Sequence, residues 1–495
     1  MIKKIGFDND LYLEQQSKYI LKRISEFDNK LYLEFGGKLF DDHHASRVLP
    51  GFLPDSKLKM LLTLKEKVEV LIVINASDIE KNKIRSDLGI TYDVEVLRLI
   101  DAFRGVGLYV GSVIISQYTH QPSADVFKNQ LEHLGIKTAL HYPIQGYPNN
   151  VATIVSDEGY GKNDYIETTK PLVVVTAPGP GSGKMATCLS QLYHEHKRNI
   201  NAGYAKFETF PIWNLPLKHP VNLAYESATA DLNDINMIDP FHLEAYGVTT
   251  VNYNRDVEIF PVLNTIFERI SGVSPYKSPT DMGVNMVGNC IIDNDVCIKA
   301  SQDEIIRRYY QALIDQKRGY IGDETISKIE LVMGQANITT ESRLCVKAAL
   351  DKAEATDGPA MAIELADGTI VTGKTTSLLG SASAAILNAL KAIGNIDDRM
   401  PLISPSIIEP IQKLKVENLG NNNPRLHTDE ILIALAISAT TNPLSHLAMS
   451  QLAKLHGCEA HSSVILSDVD TAVFRKLGIN LTSEAKYHTK KLYHK

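Results

Sequence analysis

The residues of this chain best suited to chemistry form one short run, Ala177-Pro178-Gly179-Pro180-Gly181-Ser182-Gly183-Lys184. Glycine lets a backbone close on a bound group, and a lysine at the end of such a run adds a positive charge. Before it, Leu172-Val173-Val174-Val175-Thr176 has the pattern of a short strand; after it, Met185, Leu189 and Leu192 stand at i, i+4 and i+7, the period of a helix. The order is strand, loop, helix. A helix opening at the Gly183-Lys184 step turns its unpaired N–H groups and the positive end of its dipole toward the loop. Gly179, Gly181, Ser182, Gly183 and Lys184 are therefore the candidate cradle for a phosphate. The competing reading is a tight β-to-α turn that binds nothing. A bare turn needs one glycine, and here three are packed beside a lysine.

The run resembles the P-loop, G-x-x-x-x-G-K-[ST], in which the lysine reaches the β- and γ-phosphates of a nucleotide. It departs from that pattern at two positions. Pro178 replaces the first glycine, and Met185 replaces the hydroxyl that binds Mg²⁺. Thr187 is the nearest hydroxyl, two residues further along the helix and expected to point elsewhere. The expected cofactor is ATP or another phosphate ligand, with Mg²⁺ a candidate companion. A second lysine, Lys206, follows in Gly203-Tyr204-Ala205-Lys206-Phe207. The order strand, loop, helix, lysine-bearing strand is similar to dethiobiotin synthetase and its P-loop relatives, in which such a lysine assists a carboxylate and a phosphate. That resemblance implies a catalytic role for Lys206 beside Lys184, although Lys206 falls one residue away from that family's Gly-Tyr-Lys pattern. From the residues alone, Lys206 either neutralises an anionic substrate or is a strand-end lysine in solvent. Between Pro211 and Pro240 lie Glu226, Asp231, Asp234 and Asp239; loop carboxylates of this kind hold Mg²⁺ through water, and Asp231 stands as the candidate metal ligand.

Elements that could position these residues alternate along the first half of the chain. Apolar runs at Leu31–Phe35, Val68–Ala76, Leu108–Ser116 and Lys137–His141 read as strands, and Leu53–Leu64, Asp93–Phe103 and Pro122–Leu134 read as helices. With Leu172–Thr176 added, the expected fold is α/β with a parallel, doubly wound sheet. Loops at the carboxyl ends of its strands, among them Asn75–Asp78, Ser116–His120 and Pro178–Lys184, would then share one crevice. Val248–Tyr253 reads as the last strand of this half. The expected domains are 1–270, with an internal break near 145–170, and a second α/β or α+β domain over 271–495, since Ser271–Thr280 is rich in Ser, Pro and Gly. In the second domain, Asp367-Gly368 between two apolar runs predicts a hairpin and Ser381–Ile393 a helix. Gly368–Thr375 matches the P-loop letters, but β-branched Thr369–Thr372 reads as a strand rather than a loop.

Three further groups carry weaker signals. Gly36-Gly37-Lys38 follows a strand, but Asp41-Asp42-His43-His44 intervenes before any helix. Those four adjacent side chains form either a solvated turn or a site loop. His456, Cys458 and His461 have zinc-ligand chemistry without a fourth ligand nearby, and the turn that holds them is expected to precede a strand at Val464–Leu466. No zinc site is expected. No H-E-x-x-H occurs, so a peptidase is unsupported.

At 495 residues, 44% hydrophobic and 22% charged, with a net charge of −7, the composition is that of an ordinary soluble protein without the basic field that nucleic acid or a membrane surface attracts. Five scattered cysteines without a C-x-x-C pair, and no apolar run long enough to span a bilayer, point to the cytoplasm. The expected partners are a small-molecule substrate and further copies of the same chain. Four segments, Glu34–Phe52, Thr176–Glu195, Glu364–Lys374 and His461–Asp470, together resemble an uncharacterised bacterial family known as domain of unknown function 1846 or uncharacterised protein family 0371. The resemblance implies a cytosolic two-part protein and adds no substrate. Two functions follow: a nucleotide-dependent transferase or ligase acting through Lys184, Lys206 and Asp231, or a non-catalytic protein whose loop binds phosphate without turnover.

Overall fold

The structure is a computed structural model that describes residues 4–36, 39–40, 42–85 and 89–489. Gly37, Lys38 and Asp41 lie outside the described residues. The chain divides into two compact units, a larger one of residues 5–225 and 234–300, and a smaller one that includes 226–233 and the chain from 301 onward.

In the larger unit, β1 (Leu31–Phe35), β2 (Val68–Asn75), β3 (Tyr109–Ser116), β4 (Lys137–Leu140), β5 (Leu172–Thr176), β6 (Gly203–Phe207) and β7 (Gly283–Val284) build one seven-stranded sheet, ordered β7-β6-β1-β5-β2-β3-β4. Every pairing in it is parallel. Residues of β1 and β5, and of β2 up to Ile74, are buried throughout, which is why these strands read as unbroken apolar runs rather than as alternating ones. Among the helices that connect them are Tyr92–Gly105, Pro122–His133 and Lys184–His196. The chain leaves β2 toward β3 but leaves β5 toward β6. The two paths diverge between neighbouring strands, so the crevice of this doubly wound sheet opens at the carboxyl ends of β5 and β2.

One expected strand is placed differently. Val251–Tyr253 pairs antiparallel with Asn236–Ile238 in a separate two-stranded ribbon, and the sheet edge is taken by β7. At two residues, β7 is too short to show any period in the sequence.

The smaller unit holds a four-stranded mixed sheet. Ala360–Glu364 and Ile370–Lys374 form the expected hairpin, with Gly368 at φ +85° in its turn. Glu459–Ser462 adds antiparallel to the first of these strands, and Asn480–Ser483 adds parallel to Glu459–Ser462. The expected strand at Val464–Leu466 is therefore displaced to Glu459–Ser462, which runs through the stretch read as a turn. That strand buries polar residues that find partners inside the unit, such as His461 Nδ1 at 2.8 Å from Thr482 Oγ1, so the apolar signal of a buried strand is missing. Its first residue, Glu459, accepts from Arg343, 1% exposed, and from Arg307 Nη1 at 2.7 Å, and the two guanidiniums outweigh burial and hold the carboxyl down near 2.

Ile72 of β2 is fully buried opposite Thr176, the last residue of β5. Ile72→Ala should lower the unfolding free energy by about 2–5 kcal/mol, read as a reduced urea midpoint with an unchanged slope. An unchanged midpoint would mean that the sheet core does not extend to the strand ends.

Candidate functional site

The glycine-rich loop spans the end of β5 and the helix Lys184–His196. Each of its three glycines has a local reason. Gly181 and Gly183 have φ of +74° and +92°, a region that side chains other than glycine rarely enter. Gly179 leaves room for Tyr92, whose hydroxyl would lie 2.2 Å from an added Cβ. The glycines therefore report the shape of the loop, and the bonds around it report its polarity. Neighbouring groups hold its carbonyls: Ser182 Oγ donates to Gly179 O (2.8 Å), Ser116 Oγ to Ser182 O (2.6 Å) and Asn75 Nδ2 to Gly181 O (3.4 Å). Among the described residues, no acceptor is bonded to the N–H of Gly179, Gly181, Ser182, Gly183 or Lys184. Gly183, the N-cap, contributes no side-chain bond, so the first turn of the helix keeps its free donors.

Lys184 sits in that first turn, half-buried, and among the described residues nothing pairs with its ammonium. Lys206 is placed quite differently. In β6, beside Glu34 of β1, its Nζ lies 2.6 Å from Glu208 and 2.5 Å from Asp256. Glu34 in turn accepts from the Tyr204 hydroxyl at 2.7 Å. Burial disfavours the Lys206 ammonium, but the carboxylates of Asp256, Glu208 and Glu34 outweigh it and keep the lysine charged. Three acids around one base leave a surplus of negative charge. Burial, with Asp256 and Glu34 adding to it against Lys206, pushes Glu208 up to about 7. The cluster reaches the loop electrostatically: burial raises the Cys188 thiol on the loop's helix, Glu34 adds to that rise and Lys184 opposes it.

Asp231 lies on a one-turn helix, Ala230–Leu232, in the smaller unit and is exposed. Of the other acids in that stretch, Asp234 pairs with Arg255 and Asp239 caps the helix Pro240–Tyr246 while accepting from Thr280 Oγ1. Asp42 caps the helix His43–Val48 and pairs with Lys57 at 2.8 Å, so this member of the Asp-Asp-His-His stretch has a structural task.

Sequence reasoning missed a pocket. Beside Gly183, residues from the ends of β3 and β4 and from the segment before β5 enclose about 40 Å³, and Ser116, His141, Tyr147, Tyr160, Asn163 and Thr187 contribute to its wall. Thr187, which the helix period turns away from the loop's open side, faces this pocket instead. Thr187 and Tyr160 are both fully buried, and among the described residues their hydroxyls have no hydrogen-bond partner. Burial pushes His141 down to about 4, so it is a neutral imidazole, and Asp164 O lies 3.3 Å from its Nε2. The signal in the sequence was faint: isolated Tyr, His and Asn residues in the loop-rich stretch 141–163.

Comparison with known proteins identifies relatives along the whole chain. The family model described as domain of unknown function DUF1846, N-terminal, matches residues 5–337, and its C-terminal counterpart matches residues 341–493. A UPF0371 protein of Streptococcus pneumoniae (strain Hungary19A-6) is 59% identical over 494 residues, covering 100% of both chains. A UPF0371 protein of Streptococcus pyogenes serotype M5 (strain Manfredo) is 58% identical, again over 100% of both. No helix among the described residues is long and apolar enough to cross a membrane.

The two titrating groups oppose each other with pH. Glu208, raised in the folded state, contributes stability that is complete below about pH 4.5 and lost as pH rises to about 7; His141, lowered, contributes stability present above about pH 6.5 and lost on acidification. Glu208→Gln should therefore gain on wild type as pH rises from about 4.5 to about 7 and little further above it. Denaturant unfolding at a series of pH values checks this, and a difference that is flat with pH would show that Glu208 is an ordinary ionised carboxylate.

Proposed function

Because this chain belongs to the DUF1846 family, whose description names no activity, we propose its function from the site itself: it binds a phosphorylated small molecule, with the phosphoryl group on the glycine-rich loop. The observation that carries this reading is the Lys184 ammonium, unpaired among the described residues, beside five loop amides that lack an acceptor among them, at the crevice where the chain's paths diverge. The neighbouring carbonyls are already bonded, so the polarity of the loop favours an anion. Lys206 is compensated by this chain's own carboxylates, which leaves Lys184 as the binding cation. Met185 supplies no hydroxyl to a metal ion, so the site favours a phosphate held by amides and ammonium over a triphosphate held through Mg²⁺.

A second reading, phosphoryl transfer or ATP-dependent ligation at the same loop, is favoured by one observation. Glu208, held near neutrality one residue past β6, can accept or donate a proton close to physiological pH. In that reading the Lys206-Glu208-Asp256 cluster works on an acceptor beside the phosphate.

Thermal shift and calorimetry against inorganic phosphate, ADP, ATP and sugar phosphates, with and without Mg²⁺, separate the readings. A ligand at 100 times its Kd should stabilise wild type by about 2.7 kcal/mol, and Lys184→Ala should weaken binding at least about tenfold. Equal binding by the variant would overturn the loop assignment. Mg²⁺-dependent turnover that Lys184→Ala abolishes would establish the second reading, and tight binding without product would exclude it.

A further inference from the structure

The pocket beside the loop has a chemistry of its own. Its wall is uncharged and mostly apolar: the rings of Tyr142, Tyr147 and Tyr160 stand beside Ile144, with His141 as neutral imidazole and Thr187 among the polar groups. Burial keeps the phenol of Tyr160 protonated. Among the described residues, its side chains include neither carboxylate nor ammonium, although Lys184 adjoins Gly183. At about 40 Å³ it takes three or four waters. The enclosed part therefore admits a hydroxyl or hydroxymethyl group rather than a whole ring, and a larger body extends to the pocket's open side.

One feature points to an unfilled wall: among the described residues, the buried hydroxyls of Thr187 and Tyr160 have no partner, although buried polar groups are generally hydrogen-bonded.

We propose that this pocket holds the uncharged polyol part of a sugar phosphate whose phosphoryl group lies on the Gly179–Lys184 loop. The unmet hydroxyls of Thr187 and Tyr160 match hydroxyl groups of a ligand, and aromatic faces cover the C–H faces of a sugar ring. A triphosphate would bring charge toward a wall that cannot neutralise it. The inference rests on the phosphate-binding reading of the loop and adds the class of molecule to it.

Isothermal titration calorimetry on the full chain tests the two claims separately, with inorganic phosphate, glucose 6-phosphate, ribose 5-phosphate and ATP, the last with and without Mg²⁺, as probes. At least one sugar phosphate should bind about tenfold or more tighter than inorganic phosphate, and ATP should not exceed it. Tyr160→Phe and Thr187→Val, which keep shape and remove a hydroxyl, should each weaken the sugar phosphate several-fold and leave inorganic phosphate unchanged, while Lys184→Ala weakens both. Melting temperatures of the variants near or above wild type identify them as folded. If inorganic phosphate binds through Lys184 but no sugar phosphate binds tighter, or neither hydroxyl variant matters, the pocket assignment falls and the loop assignment stands. If ATP binds tighter than every sugar phosphate, the ligand class is wrong. If inorganic phosphate shows no dependence on Lys184, both assignments fall together.

Discussion

An all-parallel sheet sends every strand's carboxyl end to the same edge, and the site of this protein depends on that geometric constraint. Parallel strands cannot be joined by tight turns, so each needs a crossover, and each crossover begins with a loop at that edge. Seven strands in the order β7-β6-β1-β5-β2-β3-β4 therefore bring together segments that are far apart in the chain. Asn75, Ser116 and the glycine-rich loop meet because β2, β3 and β5 end side by side. The hydrogen bonds of Asn75 and Ser116 then fix which way the loop's carbonyls point, and with them its amides.

Charge is sorted along the same edge. On the side of β1 and β6, Glu34, Lys206, Glu208 and Asp256 form a compensated cluster with an excess of acid. Lys184, at the start of the next helix, is left as a cation without a partner among the described residues. Among the described residues, the pocket on the side of β3 and β4 has no charged side chain in its wall. A ligand with one anionic end and a neutral body fits this order, and the same low-dielectric setting that strengthens its hydrogen bonds makes the orphaned hydroxyls of Thr187 and Tyr160 costly when unmet.

The structure also corrects the weight given to particular residues. Three glycines close together looked like a phosphate signature, yet each is accounted for by positive φ or by the approach of Tyr92. The sharper observation is the loop's unmatched donors, which no sequence pattern displays. Thr187 was set aside because the helix period turns it from the loop's open side; that same turn places it in the pocket. In the smaller unit, polar Glu459–Ser462 is a strand because Arg343, Thr482 and Asn480 satisfy it from within, a pairing across residues distant in the chain.

The sequence by itself determined the local structure: apolar runs without alternation required strands buried on both faces, their alternation with helical stretches required parallel crossovers, and Asp367-Gly368 required a hairpin. It also placed Lys184 at the mouth of a glycine-rich loop. These are short-range consequences of side-chain spacing and backbone freedom. Only the tertiary structure decided which strands are neighbours, that Lys206 is held by Glu208 and Asp256 while Lys184 is not, and that His141, Tyr160 and Thr187 share a wall. Burial, charge pairing and unmet hydrogen bonds are properties of contacts between distant segments, and those contacts come into being only when the sheet has closed its order.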